Sequence, residues 1–128
     1  LEPELRSEYI EKLKRVSKEK SIPIQDVDAY FSKLTKWCHV SYSLKIKPHL
    51  EKVFEKLGKK DPVQLEAVHK KVKQILEDPH RFKPLHAPMQ HIRRVHIMGS
   101  FVLLYTISES DHSVELLDYD HHDAVYRS

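Results

Sequence analysis

The chain has 128 residues, of which 32% are charged and 40% hydrophobic, a composition that predicts one soluble globular domain with a single core. A net charge of +3 is too small to indicate nucleic-acid binding by itself, and no segment resembles a membrane span or a secretory signal. The single cysteine, Cys38, excludes an internal disulfide and fits a reducing cytoplasm, where we expect the protein to reside.

Two amphipathic helices are predicted at the amino terminus, separated by a break at 21–23. The apolar positions are Leu5, Tyr9, Leu13 and Val16 in the first helix and Ile24, Val27, Tyr30, Phe31 and Leu34 in the second. Neither helix can bury its apolar stripe alone, so each requires a partner surface.

A strand and a pair of helices are predicted next. Apolar residues alternate over 40–46, which indicates a half-buried strand. Pro48 opens a helix that Gly58 ends, and Asp61-Pro62 opens another that ends at Asp78-Pro79. We expect the two helices to pack as a hairpin against a sheet.

The rest of the chain is β-like. Strands are predicted over 91–98, 101–107 and 113–120, with turns at 99–100 and 108–111. The predicted order is therefore two helices followed by β-α-α-β-β-β.

Cations are concentrated before and within the first of these three strands. Residues 80–97 contain four histidines and no carboxylate, and their basic side chains are Arg81, Lys83, Arg93 and Arg94. Residues 109–123, in contrast, contain six carboxylates. A local basic stretch attracts a phosphate backbone even when the whole chain is nearly neutral.

Several motifs occur together in a recognisable order. They are Tyr42-Ser43-Leu44-Lys45-Ile46, Asp78-Pro79-His80-Arg81-Phe82-Lys83-Pro84-Leu85, Arg93-Arg94-Val95-His96-Ile97, Phe101-Val102-Leu103-Leu104-Tyr105 and His121-His122-Asp123-Ala124-Val125-Tyr126. With the helical hairpin between the first two, they resemble the RelE/ParE superfamily of type II toxin–antitoxin toxins, specifically its archaeal RelE-like members. The resemblance covers roughly 40–128 and implies an α+β fold, a small twisted antiparallel sheet with a helical hairpin packed on it.

The amino-terminal helices carry a second, shorter resemblance. The segments 5–14 and 22–27 are similar to the neutralising tail of archaeal RelB-type antitoxins. This resemblance implies an antitoxin-like helical segment at 1–36 joined to a toxin domain at 37–128. Such a segment would lay its apolar stripes on the toxin, in the same chain or swapped into a partner, and hold it inactive. The alternative is an ordinary helical extension that packs as part of the toxin core.

RelE-like toxins typically cut messenger RNA in the ribosomal A site, whereas ParE-like relatives poison DNA gyrase. The resemblance therefore implies a cytoplasmic endoribonuclease that uses no metal or cofactor. The implied partners are mRNA, the ribosome and a RelB-like antitoxin in cis or in trans, and a homodimer is left open. The histidines do not follow the spacing of a zinc motif, so no metal site is predicted.

Metal-free RNA cleavage needs a base for the 2′-hydroxyl, a cation for the crowded phosphorane and an acid for the departing 5′-oxygen. Arginine stays charged and grips phosphate, and histidine titrates near neutral pH. Strand alternation places Arg94 and His96 on one face and Arg93 on the other. By the resemblance, Arg94 stabilises phosphate.

The remaining candidates also follow the family pattern. Tyr126 is expected to stack on a base or take part in proton transfer, and at least one of His121 and His122 is expected to act beside it. The candidates for RNA binding are Arg81, Lys83, His86, Arg93 and His96, of which Arg93 is the more peripheral or structural one.

Two positions depart from that pattern. Val102 stands where many relatives have Arg in the central hairpin, and His122 stands where they have a later Arg. Loss of one oxyanion donor costs roughly a hundred- to a thousand-fold in rate. The alternative prediction is therefore a catalytically degenerate module that binds antitoxin, ribosome or gyrase.

Overall fold

The protein is described by a computed structural model that covers residues 4–27, 30, 42–85 and 89–126. In chain order the elements are α1 (Ser7–Ser17), β1 (Ile22–Ile24), β2 (Ser43–Ile46), α2 (Pro48–Lys60), α3 (Pro62–Glu77), a 3-10 turn (Pro79–Arg81), β3 (Ile92–Ile97), β4 (Phe101–Ser108), β5 (Ser113–His121) and α4 (His122–Val125). The predicted α+β class is confirmed. None of the helices described has the length and apolar character to cross a membrane.

Helices α2 and α3 form the predicted hairpin. Proline stands at the start of each, and the Asp61 side chain accepts a hydrogen bond from the Gln64 amide at 3.1 Å, which caps α3. The prediction that Gly58 ends α2 was wrong, because the helix continues to Lys60. Gly58 instead permits close packing, since a Cβ there would lie 3.2 Å from a methyl carbon of Leu65.

The strands form one mixed sheet in the order β1-β2-β5-β4-β3. The β1–β2, β5–β4 and β4–β3 pairs are antiparallel, but β2 and β5 are parallel, so the sheet departs from the all-antiparallel expectation at this pair. The helical hairpin carries the chain from β2 to the far edge of the sheet, and the two turns that follow return β5 beside β2 in the same direction. A parallel pair needs such a long connection.

The sheet separates two apolar clusters. The hairpin face packs against α2 and α3, and the buried side chains that it contributes include Val95, Ile97, Leu103 and Tyr105. The opposite side, which we call the α1 face, contributes Ile92, Val102, Leu104 and Leu117, and these pack with Tyr9 and Leu13 of α1 and with Val125 and Tyr126. A β-bulge opposite the Leu104/Tyr105 step lets both Leu117 and Asp118 point to the α1 face.

The amino-terminal segment, residues 4–24, differs from its prediction in one element. Ile22–Ile24 is a strand that pairs with β2, whereas the sequence placed Ile24 at the start of a second helix. The sheet edge overrides the helical pattern because β1 gains main-chain hydrogen bonds from β2. Tyr30 N donates to Asp26 O, a turn that fits the predicted helix, but 31–41, which include Cys38 and the start of the predicted strand, lie outside the described residues.

Candidate functional site

Strand β3 presents two of the predicted site residues on the α1 face. Arg94 and His96 alternate with the buried Ile92 on this face, while Arg93 points to the hairpin side, as the alternation predicted. Arg94 lies opposite Leu104, and His96 lies opposite Val102, on the neighbouring strand. Arg94 is half-buried and His96 is exposed.

His96, His122 and Tyr126 form an aromatic cluster, which we call the site trio. The ring centroids of His122 and Tyr126 lie 4.8 Å apart. His96 lies 5.9 Å from His122 and 6.4 Å from Tyr126, and its ring is within 19° of parallel to that of Tyr126. Strand β3 and the α4 turn, which are distant in sequence, thus bring two imidazoles and a phenol to one end of the α1 face.

The single turn of α4 places His122 and Tyr126 together. The His122 amide donates to Ser100 O at 2.7 Å, and the Tyr126 amide donates to His122 O at 3.0 Å. His121 caps the turn by accepting from the Asp123 amide at 3.1 Å, and its ring meets the edge of Phe101, which packs toward the hairpin face. Adjacent in sequence, His121 and His122 therefore point in different directions, and only His122 joins the trio.

The amino-terminal segment covers Tyr126. Leu5 forms a β-bridge with Tyr126, and Arg6 donates to Val125 O at 3.1 Å from its amide and to Asp123 O at 2.9 Å from its guanidinium. Tyr126 is only 2% exposed. The Tyr126 phenol, which the sequence predicts as a site residue, is therefore buried in this structure.

The other predicted cations lie along the edge of β3. The Arg93 guanidinium donates to Phe82 O at 2.6 Å, and that of Arg94 donates to Lys83 O at 3.4 Å. Arg81 is exposed, with its guanidinium carbon 5.7 Å from the centre of the Phe82 ring, which packs against the hairpin cluster. Arg93 and Arg94 thus both hold the loop at residues 82–83 against the edge of the sheet. Arg81 lies toward the hairpin face of the sheet.

Two further predictions concern residues and groups at this site. Lys83 is exposed, while His86 lies outside the described residues. Within the described part of the chain, no group of three or more His, Cys, Asp or Glu side chains is placed to hold a metal ion.

The sequence did not identify a polar network beside the trio. Asp118 is 1% exposed, and its carboxylate accepts from the Tyr9 hydroxyl at 2.6 Å, pairs with Lys12 Nζ at 2.9 Å and contacts His49 Nε2 at 2.8 Å. Burial alone would raise the pKa of Asp118, but the hydrogen bonds from these three side chains outweigh it and lower that pKa below its usual value. Burial, together with the nearby Asp118 carboxylate, raises the pKa of Tyr9 far above its ordinary value.

The sequence signal for this network is a carboxylate, Asp118, that is flanked by apolar residues within β5. Asp118 stands between Leu117 and Tyr119, where a lone carboxylate needs a partner from another element. Pairing it with Tyr9 and Lys12 required the docking of α1, which no local pattern reveals. The arrangement as a whole offers proton-transfer groups, a face for stacking and one arginine, all at the edge of a helix-covered surface.

Comparison with known proteins identifies relatives of about two thirds of the chain. An uncharacterised protein of Methanosarcina mazei is 54% identical over 85 residues, which are 66% of this chain and 99% of that protein. A candidate toxin of Methanocaldococcus jannaschii, RelE4, is 42% identical over 86 residues, 67% of this chain and 92% of the relative. No family model matches the chain.

A solved structure resembles the same share of the chain. It is the crystal structure of the RelBE2 toxin–antitoxin complex of Mycobacterium tuberculosis, with a TM-score of 0.53 and 25% identity. The match covers 68% of this chain and 98% of the matched chain. Each match thus covers nearly the whole length of the matched protein, whereas about a third of this chain lies outside the match.

Proposed function

Because this chain belongs to the RelE-like toxins of toxin–antitoxin systems, we propose that it is a ribosome-dependent mRNA endoribonuclease that inhibits translation. The observation that carries the proposal is the convergence of His96, His122 and Tyr126 on the same sheet face as Arg94. These groups supply proton transfer, base stacking and phosphate stabilisation without a metal. The partners proposed are mRNA on the ribosome and a RelB-like antitoxin, and the proposed location is the cytoplasm.

In the proposed reaction the 2′-hydroxyl of the mRNA attacks the adjacent phosphate, and the bond to the 5′-oxygen breaks. One imidazole of the site trio removes the proton from the 2′-hydroxyl, and the other, or the Tyr126 phenol, protonates the departing oxygen. Arg94 stabilises the phosphorane because a guanidinium keeps its charge and donates to two oxygens at once.

We propose further that the amino-terminal segment holds the toxin inactive. It covers Tyr126, which is 2% exposed, and Arg6 pins the turn that carries His122. RNA cannot stack on this ring while Leu5 and α1 remain in place. A linked segment meets its site at about millimolar effective concentration, so even weak docking would keep most molecules closed.

A second candidate is a binding module without catalysis, and Val102 favours it. Val102 lies opposite His96 and is fully buried in the cluster beneath α1, at the position where the family resemblance places an arginine. An apolar side chain there cannot stabilise phosphate, so Arg94 would have to act alone. Such a module would still bind antitoxin or the ribosome.

A cleavage assay on ribosomes programmed with mRNA separates the two candidates. The chain starting at residue 37 should cut in the A site, whereas the full chain should not. In the shorter chain, Arg94→Ala should reduce the rate roughly a hundred- to a thousand-fold, and Tyr126→Phe should also reduce it. Lys70→Ala, at an exposed lysine on α3, is the matched control and should leave the rate unchanged.

The opposite results are equally distinct. A folded shorter chain that binds ribosomes with steep salt dependence but never cuts would establish a binding module. Cleavage that survives Arg94→Ala would remove this arginine from the chemistry. Cooperative thermal unfolding of each variant provides the check that the protein is folded.

A further inference from the structure

Asp118 makes a three-way contact that joins α1 to the rest of the protein. Tyr9 and Lys12 lie one helical turn apart on the same side of α1, and both reach the Asp118 carboxylate, at 2.6 and 2.9 Å. His49, at the start of α2, holds the other carboxylate oxygen at 2.8 Å. Two of the three partners therefore belong to the amino-terminal segment.

Lys47 makes a matching contact at the other end of α1. Its side chain is only 2% exposed, and its ammonium group donates to Ser17 O at 3.4 Å and to Glu19 O, with Glu115 at 3.6 Å. Carbonyls at the end of a helix have no partner within the helix and carry partial negative charge. A buried ammonium is therefore suited to the carboxyl end of α1 and unsuited to its amino end.

We infer that Asp118 and Lys47 form a two-charge latch that accepts α1 in one direction and one register and closes residues 4–24 over the face that carries Tyr126. A reversed helix would bring its positive end to Lys47. A slip of one residue would rotate Tyr9 and Lys12 by about 100° away from Asp118. The latch itself stands on these contacts, and only its consequence for RNA cleavage rests on the proposed function.

The chemistry of the contact suits a surface that opens. When the segment undocks, Asp118 and Lys47 become solvated, so the open state contains no buried unpaired charge. Adhesion comes from the apolar contacts of Tyr9 and Leu13, while the two charges select the partner. The pairing of β1 with β2 closes the segment at its far end. Such a unit can open locally while the sheet and hairpin stay folded.

Amide hydrogen exchange on the full chain tests the latch directly. Asp118→Asn and Lys47→Met should each speed exchange in α1 by about 10- to 100-fold, while α3 should exchange at its original rate. Lys45→Met is the matched control, because Lys45 lies on the same strand but pairs with the exposed Asp111, and it should leave α1 unchanged.

If a change at Asp118 or Lys47 prevents folding, a variant within the amino-terminal segment still tests the latch by hydrogen exchange. Lys12→Met should open α1 by a similar factor, and Lys12→Met combined with Asp118→Asn should open it by less than the product of the two. Equal acceleration in α1 and α3, or no acceleration in α1, would overturn the latch.

Exchange reports docking whether or not the protein cleaves RNA. A latch that opens in these variants, while the folded chain starting at residue 37 never cuts, would refute the proposed enzyme and leave the latch intact. Cleavage by a chain whose α1 still exchanges slowly would refute the closing role of the segment.

Discussion

Replacing Leu13 by alanine should release α1 selectively. Leu13 is fully buried in the cluster beneath α1, and a Leu→Ala change at such a site costs about 2–5 kcal/mol. If docking of the segment loses about 3 kcal/mol, the open fraction rises on the order of a hundredfold, since each 1.4 kcal/mol is about a factor of ten. The sheet and the hairpin should remain folded, because Leu13 contributes to the α1 cluster alone.

Native-state trypsin cleavage after Arg15 measures this opening, because the protease needs the helix to unwind. Leu13→Ala should speed this cleavage roughly a hundredfold. Leu50→Ala is the control, since Leu50 is as deeply buried but belongs to the hairpin cluster. The control should lower the overall melting temperature without a selective effect at Arg15. Unchanged cleavage in Leu13→Ala, or an equal rise at sites throughout the chain, would refute the idea that the segment opens on its own.

Three further results are expected. The folded protein lowers the pKa of Asp118. The stabilising contribution of this carboxylate is therefore complete above its unfolded pKa of about 3.9 and is lost as the pH falls through the lower folded value. Acid titration monitored by NMR should release α1 below about pH 4, and Asp118→Asn should remove this step. Tyr105→Phe should cost about 1–1.5 kcal/mol in denaturant unfolding, because the buried hydroxyl donates to Pro79 O at 2.6 Å; no loss would show that water replaces the bond. Gly99→Ala should cost about 1 kcal/mol and lower the melting temperature by a few degrees, because φ is +78° at this position. An added Cβ would meet no atom within 4 Å, so a larger loss would indicate a clash rather than backbone strain.

The elements that the sequence predicted well are those with a strong local period or a strong end signal. Proline opens α2 and α3, and apolar runs bounded by turn residues mark β3, β4 and β5 to within one or two residues. The strand at Ile22–Ile24 was missed because three residues are too short to show a period, and the neighbouring β2 supplies the hydrogen bonds that define it. The parallel β2–β5 pair likewise depends on the path of the hairpin rather than on either strand.

The candidate site was predicted in part for the same reason. Strand alternation put Arg94 and His96 on one face, and the carboxyl-terminal motif supplied His122 and Tyr126. The sequence could not separate His121 from His122, because their directions follow from the turn into α4. The resemblance to an antitoxin tail predicted that the amino-terminal helices lie on the toxin, but the sequence did not identify Tyr126 as the residue they cover, since that contact joins residues more than a hundred positions apart.

By itself, the sequence determined the α+β class, the hairpin, the basic stretch before β3 and the resemblance to RelE-like toxins, because each depends on residues close together in the chain. Only the tertiary structure decided which titratable groups meet, that Asp118 and Lys47 are buried, and that the amino-terminal segment covers Tyr126. Those outcomes depend on docking between distant elements, where a buried charge is stable only if another part of the chain supplies its partner.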